Sequence, residues 1–99
     1  VYTLTGRLVS REENLPATSD MKIMVPRRLA RMAPERIAGK HVRHISTADG
    51  TKFYLENDNW LLLRFSGTEP LLRIFAEADT DVEAEALLAW GRAVVEGDG

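Results

Sequence analysis

Apolar positions along this chain fall at two different spacings, and the switches between them mark its elements. Residues 1–10 alternate loosely between apolar and polar, which predicts a strand, and "REENLPATSD" (11–20) reads as a polar connection. From Asp20 the spacing lengthens. Met21, Val25, Leu29 and Met32 recur at helical intervals and predict a helix over about 20–32, with Pro26 either kinking it or standing in its first turn. Pro34 ends that helix, and Gly39 opens a strand through about Thr47. "ADGT" (48–51) is a hairpin signal, because Asp-Gly suits tight turns that match strand twist; residues 51–56 return. "NDN" (57–59) supplies the next turn. "WLLLR" (60–64) is almost continuously apolar and predicts a central strand buried on both faces. After "SGTEP" a further strand spans 71–78.

Residues 80–95 give the clearest pattern. Thr80 and Glu83 form a T-x-x-E capping box, and Ala84, Leu87, Leu88, Gly91, Val94 and Val95 line one stripe of a helix over 81–95. Its acidic first turn suits the helix dipole. The order β-α-β-β-β-β-α predicts an α+β fold: a mostly antiparallel sheet of four to five strands with two helices packed on one face.

Composition narrows the possibilities. Ninety-nine residues predict one domain spanning 1–99, and an apolar share of 44% is enough for one modest core. The absence of cysteine excludes a disulfide framework, a thiolate metal site and a Cys nucleophile, and it fits a cytoplasmic setting. No apolar run reaches the ~18 residues of a membrane span, so no membrane partner is expected. The chain starts at Val1 and reads as cut from a longer one.

Charge is unevenly distributed. Lys22, Arg27, Arg28, Arg31, Arg36, Lys40 and Arg43 crowd one segment, while Glu77, Asp79, Asp81, Glu83, Glu85, Glu96 and Asp98 crowd the C-terminal one. Two solvated faces of opposite sign explain this, as does a basic face that meets a phosphate or a neighbouring domain. Nucleic acid is not expected, because the formal net charge is −2 and aromatic residues do not interleave the basic ones. His41 and His44 lie on opposite sides of a strand and are not expected to bind metal. Met21, Met24, Met32, Trp60 and Trp90 are expected as core filler.

The segment "LRFSGTEPLLRIF" (63–75) carries the candidate chemistry. Arg64 and Ser66 project to one side of an extended segment. Gly67 lacks the Cβ that would keep backbone N–H groups from a guest, Thr68 adds a hydroxyl, and successive N–H groups in such a turn can form an anion-binding nest. Arg64 and Arg73 can supply bidentate bonds to phosphate oxygens, while Glu69 and Pro70 shape the loop. A tight turn with two exposed arginines accounts for the same residues. There is no Gly-x-x-x-x-Gly-Lys loop.

"RFSGTEPLLRIFAEA" (64–78) resembles the phosphate-binding loop of the α-D-phosphohexomutases, the phosphoglucomutase/phosphomannomutase family. The final domain of that family carries R-P-S-G-T-E-P, a further arginine, and a strand ending in Glu. The likeness covers residues 40–95 well and 1–39 loosely, and Phe65 departs from it where the family often has Pro.

The resemblance implies a four-domain enzyme of the isomerase class, an intramolecular phosphotransferase that interconverts hexose 1- and 6-phosphates through a phosphoserine and a bisphosphorylated sugar. It implies Mg²⁺ and a hexose 1,6-bisphosphate activator for the full-length enzyme, and none in this domain. Arg64, Ser66, Gly67, Thr68 and Arg73 would contact the phosphate of a glucose or mannose phosphate. The catalytic serine, the metal loop and the sugar contacts would lie in the other three domains, leaving this fragment inactive alone. A stand-alone sugar-phosphate or anion-binding module would use the same loop.

Overall fold

Alternation of apolar and polar residues along four neighbouring strands builds a sheet with one buried and one open face. The computed structural model of the protein describes residues 8–48 and 50–96. Strand β1 (Val9–Pro16) leads into helix α1 (Ser19–Met32), followed by strands β2 (Arg36–Ile37), β3 (Lys40–Ser46) and β4 (Thr51–Leu55). A single 3₁₀ turn (Glu56–Asp58) precedes β5 (Trp60–Phe65), β6 (Leu71–Ala78) and helix α2 (Asp81–Val95). The six described strands form one antiparallel sheet in the order β1-β6-β5-β4-β3-β2. The α+β class and the helix-and-strand order are as predicted, with two-residue β2 enlarging the sheet.

The buried face is made by Phe53, Leu55, Leu61, Leu63, Leu72, Ile74, Ala76 and Ala78. Val25 and Leu29 of α1 and all six predicted stripe residues of α2 cover it. Trp90 packs at this core edge-on to Phe53, with ring centres 5.7 Å apart. The other face carries Lys52, Tyr54, Trp60, Leu62, Arg64, Arg73, Phe75 and Glu77, each half-buried or exposed.

Several expectations are corrected. The strand predicted at 1–10 falls mostly outside the described residues, and "REENLP" is not a connection but most of β1. Its charges hold it in place. Glu12 pairs with Arg73, Glu13 with Arg92, and Arg11 with Asp81, while Ser10 donates to Glu77 at 2.7 Å. The Asp81 hydrogen bond and charge raise the Arg11 pKa above its ordinary value. The "WLLLR" strand is buried on one face only: Leu61 and Leu63 are enclosed, whereas Trp60 and Leu62 are half-buried on the open side. Trp60 is therefore not core filler; its indole N–H donates to Glu77 at 3.0 Å, and Lys52 lies 4.5 Å over its ring. Met24 and Met32 are exposed, Met24 because it lies off the Val25–Leu29 stripe and Met32 because it is the last residue of the helix, and Met21 only borders the core.

Helix α1 runs unbroken through Pro26, which removes the donor that would meet the Lys22 carbonyl. Thr18 caps it, accepting from the Met21 amide at 3.3 Å and donating its own N–H to the Met21 sulfur at 3.3 Å. At α2 only half of the expected capping box forms. Thr80 accepts from the Glu83 amide at 3.1 Å, but the Glu83 carboxylate turns to Lys40 at 3.2 Å. Its Oε1 makes no aligned hydrogen bond, so the Lys40 contact is an ion pair without hydrogen-bond geometry.

The Lys40 side chain is only 9% exposed, against 40% for Glu83, so this bridge ties the start of β3 to α2 from beneath the surface. Lys40→Ala should lower stability by ~1–3 kcal/mol, a buried-pair loss moderated by water reaching Glu83. Lys40→Met, which refills the apolar space, should recover part of it. Urea unfolding midpoints of the three proteins check this, and an unchanged midpoint for Lys40→Ala would remove the bridge from the fold's supports.

Candidate functional site

The predicted site residues lie where β5 hands over to β6. In the β5–β6 register Arg64 stands directly opposite Arg73, and Phe65 opposite Leu72. Because Leu63, Leu72 and Ile74 must face the core, period-two alternation sends both arginines to the open face. Facing like charges repel. Carboxylates offset this at Arg73, which meets Glu12 at 3.3 Å and Glu69 at 3.8 Å. Arg64 is exposed and also takes part in a contact of its own.

Ser66 organises the loop. Its amide donates to the Leu71 carbonyl at 2.9 Å, closing the turn. Its Oγ accepts from the amides of Thr68 at 3.3 Å and Glu69 at 3.2 Å. The Leu71 amide donates to the Glu69 carbonyl at 2.7 Å, and the Pro70 carbonyl accepts from Ala17 at 2.8 Å, which fastens the loop to the end of β1. The amides of Ser66, Thr68 and Glu69 are thus satisfied within the loop. Gly67 and Thr68 are exposed at its tip. Gly67 is exposed, and a Cβ there would meet nothing within 4 Å, so its value lies in leaving the backbone uncovered rather than in avoiding a clash.

The site residues divide between two flanks. Arg64 and Arg73 stand on the open sheet face, while Gly67, Thr68, Glu69 and Pro70 form one wall of a hollow of about 200 Å³. The opposite wall is Ala17, Thr18, Ser19 and Lys22, at the start of α1. Lys22 was visible in the sequence only as one of a basic run; nothing in its spacing placed it beside the loop. Among the described residues no three His, Asp or Glu side chains gather to hold a metal ion, and no helix is long and apolar enough to cross a membrane.

Together these features define a helix-backed antiparallel domain with Arg64, Arg73 and Lys22 flanking one short Ser-Gly-Thr loop. The chain belongs to the phosphoglucomutase/phosphomannomutase family and corresponds to its C-terminal domain: the family description "Phosphoglucomutase/phosphomannomutase, C-terminal domain" matches residues 13–90. A probable phosphoglucosamine mutase of Pyrococcus abyssi is 37% identical over 83 residues, which is 83% of this chain and 17% of that protein. A phosphoglucomutase/phosphomannomutase of Thermococcus kodakarensis is 43% identical over 60 residues, 61% of this chain and 13% of its own length. A phosphopentomutase from the same organism is 32% identical over 77 residues, 78% of this chain and 17% of its own length. The chain thus spans less than a fifth of the curated relatives it matches.

Ser66→Ala removes the acceptor of two loop amides at once. Amide exchange at Thr68 and Glu69 should speed up about five- to tenfold, the equivalent of ~1 kcal/mol of local stability, while α2 exchanges as before. Unchanged exchange at both amides would show that Ser66 does not organise the loop.

Proposed function

We propose that this chain is the substrate-phosphate clamp of a phosphohexomutase, one of four domains in a longer chain. Arg64, Ser66, Gly67, Thr68 and Arg73 would grip the phosphate, and Glu69 and Pro70 would hold the loop's shape. The observation that carries this reading is the registered pair Arg64 and Arg73, two arginines opposite each other on neighbouring strands at the base of a small-residue loop. An anion between them relieves their repulsion and can accept forked, charge-assisted bonds from both. The amide bonds to Ser66 Oγ, at 3.2 and 3.3 Å, are long enough for a phosphate oxygen to compete for them.

The relatives' names extend the argument. They cover glucosamine, glucose or mannose, and pentose mutases, whose shared feature is a sugar phosphate. A domain common to them fits recognition of the phosphate, with sugar choice made elsewhere. In such a mutase the phosphoserine passes its phosphoryl group to a free sugar hydroxyl, giving a bisphosphate. The bisphosphate turns over and returns its other phosphoryl group to the serine. A clamp that reads only phosphate serves both orientations, and its contribution is positioning and charge neutralisation. On the same reading Mg²⁺ and the catalytic serine would belong to the other domains, and a hexose 1,6-bisphosphate would prime the full enzyme.

Titrating this chain with glucose 1-phosphate, with free glucose as control, should shift amide resonances at 64–73 for the phosphate alone. Affinity should be about millimolar, ~4 kcal/mol, because the remaining cleft walls are absent. In the full-length enzyme Arg64→Ala and Arg73→Ala should each raise KM and lower kcat/KM by roughly 10–100-fold, the loss of one charge-assisted bond. Unaltered kinetics in both variants would refute the clamp.

A further inference from the structure

Gly50 closes the β3–β4 hairpin with φ at +86°. It stands one residue beyond the last registered pair of the β4–β5 ladder, Thr51 with Leu63, and so lies beside Arg64. A Cβ added at Gly50 would sit 2.7 Å from the Leu63 carbonyl oxygen, 3.1 Å from Arg64 Cβ and 3.2 Å from Arg64 Cα. Main-chain atoms of a paired strand cannot swing aside as the tip of a flexible side chain can. Relief has to come from parting the hairpin turn from the end of β5, where Arg64 is rooted.

Gly39 supplies the contrast. Its φ is +82°, nearly the same backbone conformation, yet a Cβ there would meet nothing within 4 Å. Both glycines satisfy a left-handed turn, but only Gly50 also makes a close approach.

We propose that Gly50 is a positioning residue for the anion clamp. Its missing side chain lets the hairpin turn lie against the end of β5, and this contact sets the point from which Arg64 projects opposite Arg73. The inference rests on the clamp reading above. It assigns a function to Gly50 beyond reversing the chain: Gly50 is the backstop of the backbone from which Arg64 projects. A misplacement of about an ångström at a positioning group is enough to weaken recognition severalfold or more.

The test compares Gly50→Ala with Gly39→Ala in the same chain. Both place an L side chain at a left-handed φ and should lower Tm from that strain, Gly50→Ala further because its Cβ also meets the Leu63 carbonyl oxygen. Only Gly50→Ala should weaken binding of glucose 1-phosphate, by about tenfold, and move the Arg64 Nε–Hε resonance. Gly39→Ala should bind within about twofold of the parent and leave that resonance in place. Gly50→Asn, whose side chain tolerates the left-handed region but carries the same Cβ, should behave as Gly50→Ala and serves if the alanine variant does not fold.

Arg64→Ala separates the two hypotheses. If it binds as the parent does, the clamp itself falls. If it loses binding while both Gly50 variants bind normally, the clamp stands and the positioning role is overturned. Equal weakening by Gly39→Ala and Gly50→Ala, or failure of both Gly50 variants to fold while Gly39→Ala folds, would also overturn it by reducing Gly50 to a general folding requirement.

Discussion

One-sided burial of the β5–β6 pair is the constraint on which the rest of this structure depends. Leu61, Leu63, Leu72 and Ile74 are at most 3% exposed, and all four must lie on the face covered by the helices. Since side chains alternate along a strand, that requirement leaves no choice about Arg64 and Arg73. They emerge together on the opposite face, in register, at the end of the ladder where the chain turns. The hydrophobic core thus orients the charged pair without touching it. A one-residue slip of either strand would bury a guanidinium and expose an aliphatic side chain, so the register is protected by the full weight of the core.

The loop between these strands is self-contained. Ser66 gathers the amides that could otherwise face outward, and the link from Ala17 to the Pro70 carbonyl joins the loop to β1. Glu12 and Glu69 hold Arg73 in place at 3.3 and 3.8 Å. One arginine of the pair is thus steadied by carboxylates on two different segments. Such pairs at the surface contribute little to stability. Their effect here is geometric, restricting where the guanidinium group can go.

Much of this was legible in the sequence, and the portions that were not share a physical cause. The stripe from Ala84 to Val95 announced α2, and each of its six members is buried. The turn at Asn57 and Asp58 does take positive φ at both residues, as side chains suited to that region suggest. Strand β1 was hidden because its charges disguise it: residues 11–14 carry no apolar side chain, and what holds them is the backbone ladder to β6 and ion pairs to Arg73, Arg92 and Asp81. Trp60 looked like core because a continuous apolar run does not say which of two faces is covered. Residues 64–73 stood out in the sequence as one candidate set, but their division between the open sheet face and the hollow beside Lys22 was not legible. Neither was the approach of Gly50 to Arg64. Both are contacts between segments distant along the chain, and no local pattern encodes them.

The same charged strand that was hardest to read has a consequence for how the molecule behaves in company. A sheet ends in two rows of unpaired backbone groups, and either row can recruit a strand from another molecule. Here one border is β1, studded with Arg11, Glu12 and Glu13 and ending at Pro16, which has no N–H to offer. The other border is two-residue β2, beyond which β3 runs on as the edge through residues 43–46, beside an irregularity in register between Val42 and His44. One edge discourages a would-be neighbour by charge, and the other by a short strand, an irregular ladder and the charge of Arg43. The domain can therefore leave one sheet face uncovered by helices while its borders discourage self-assembly into fibrils.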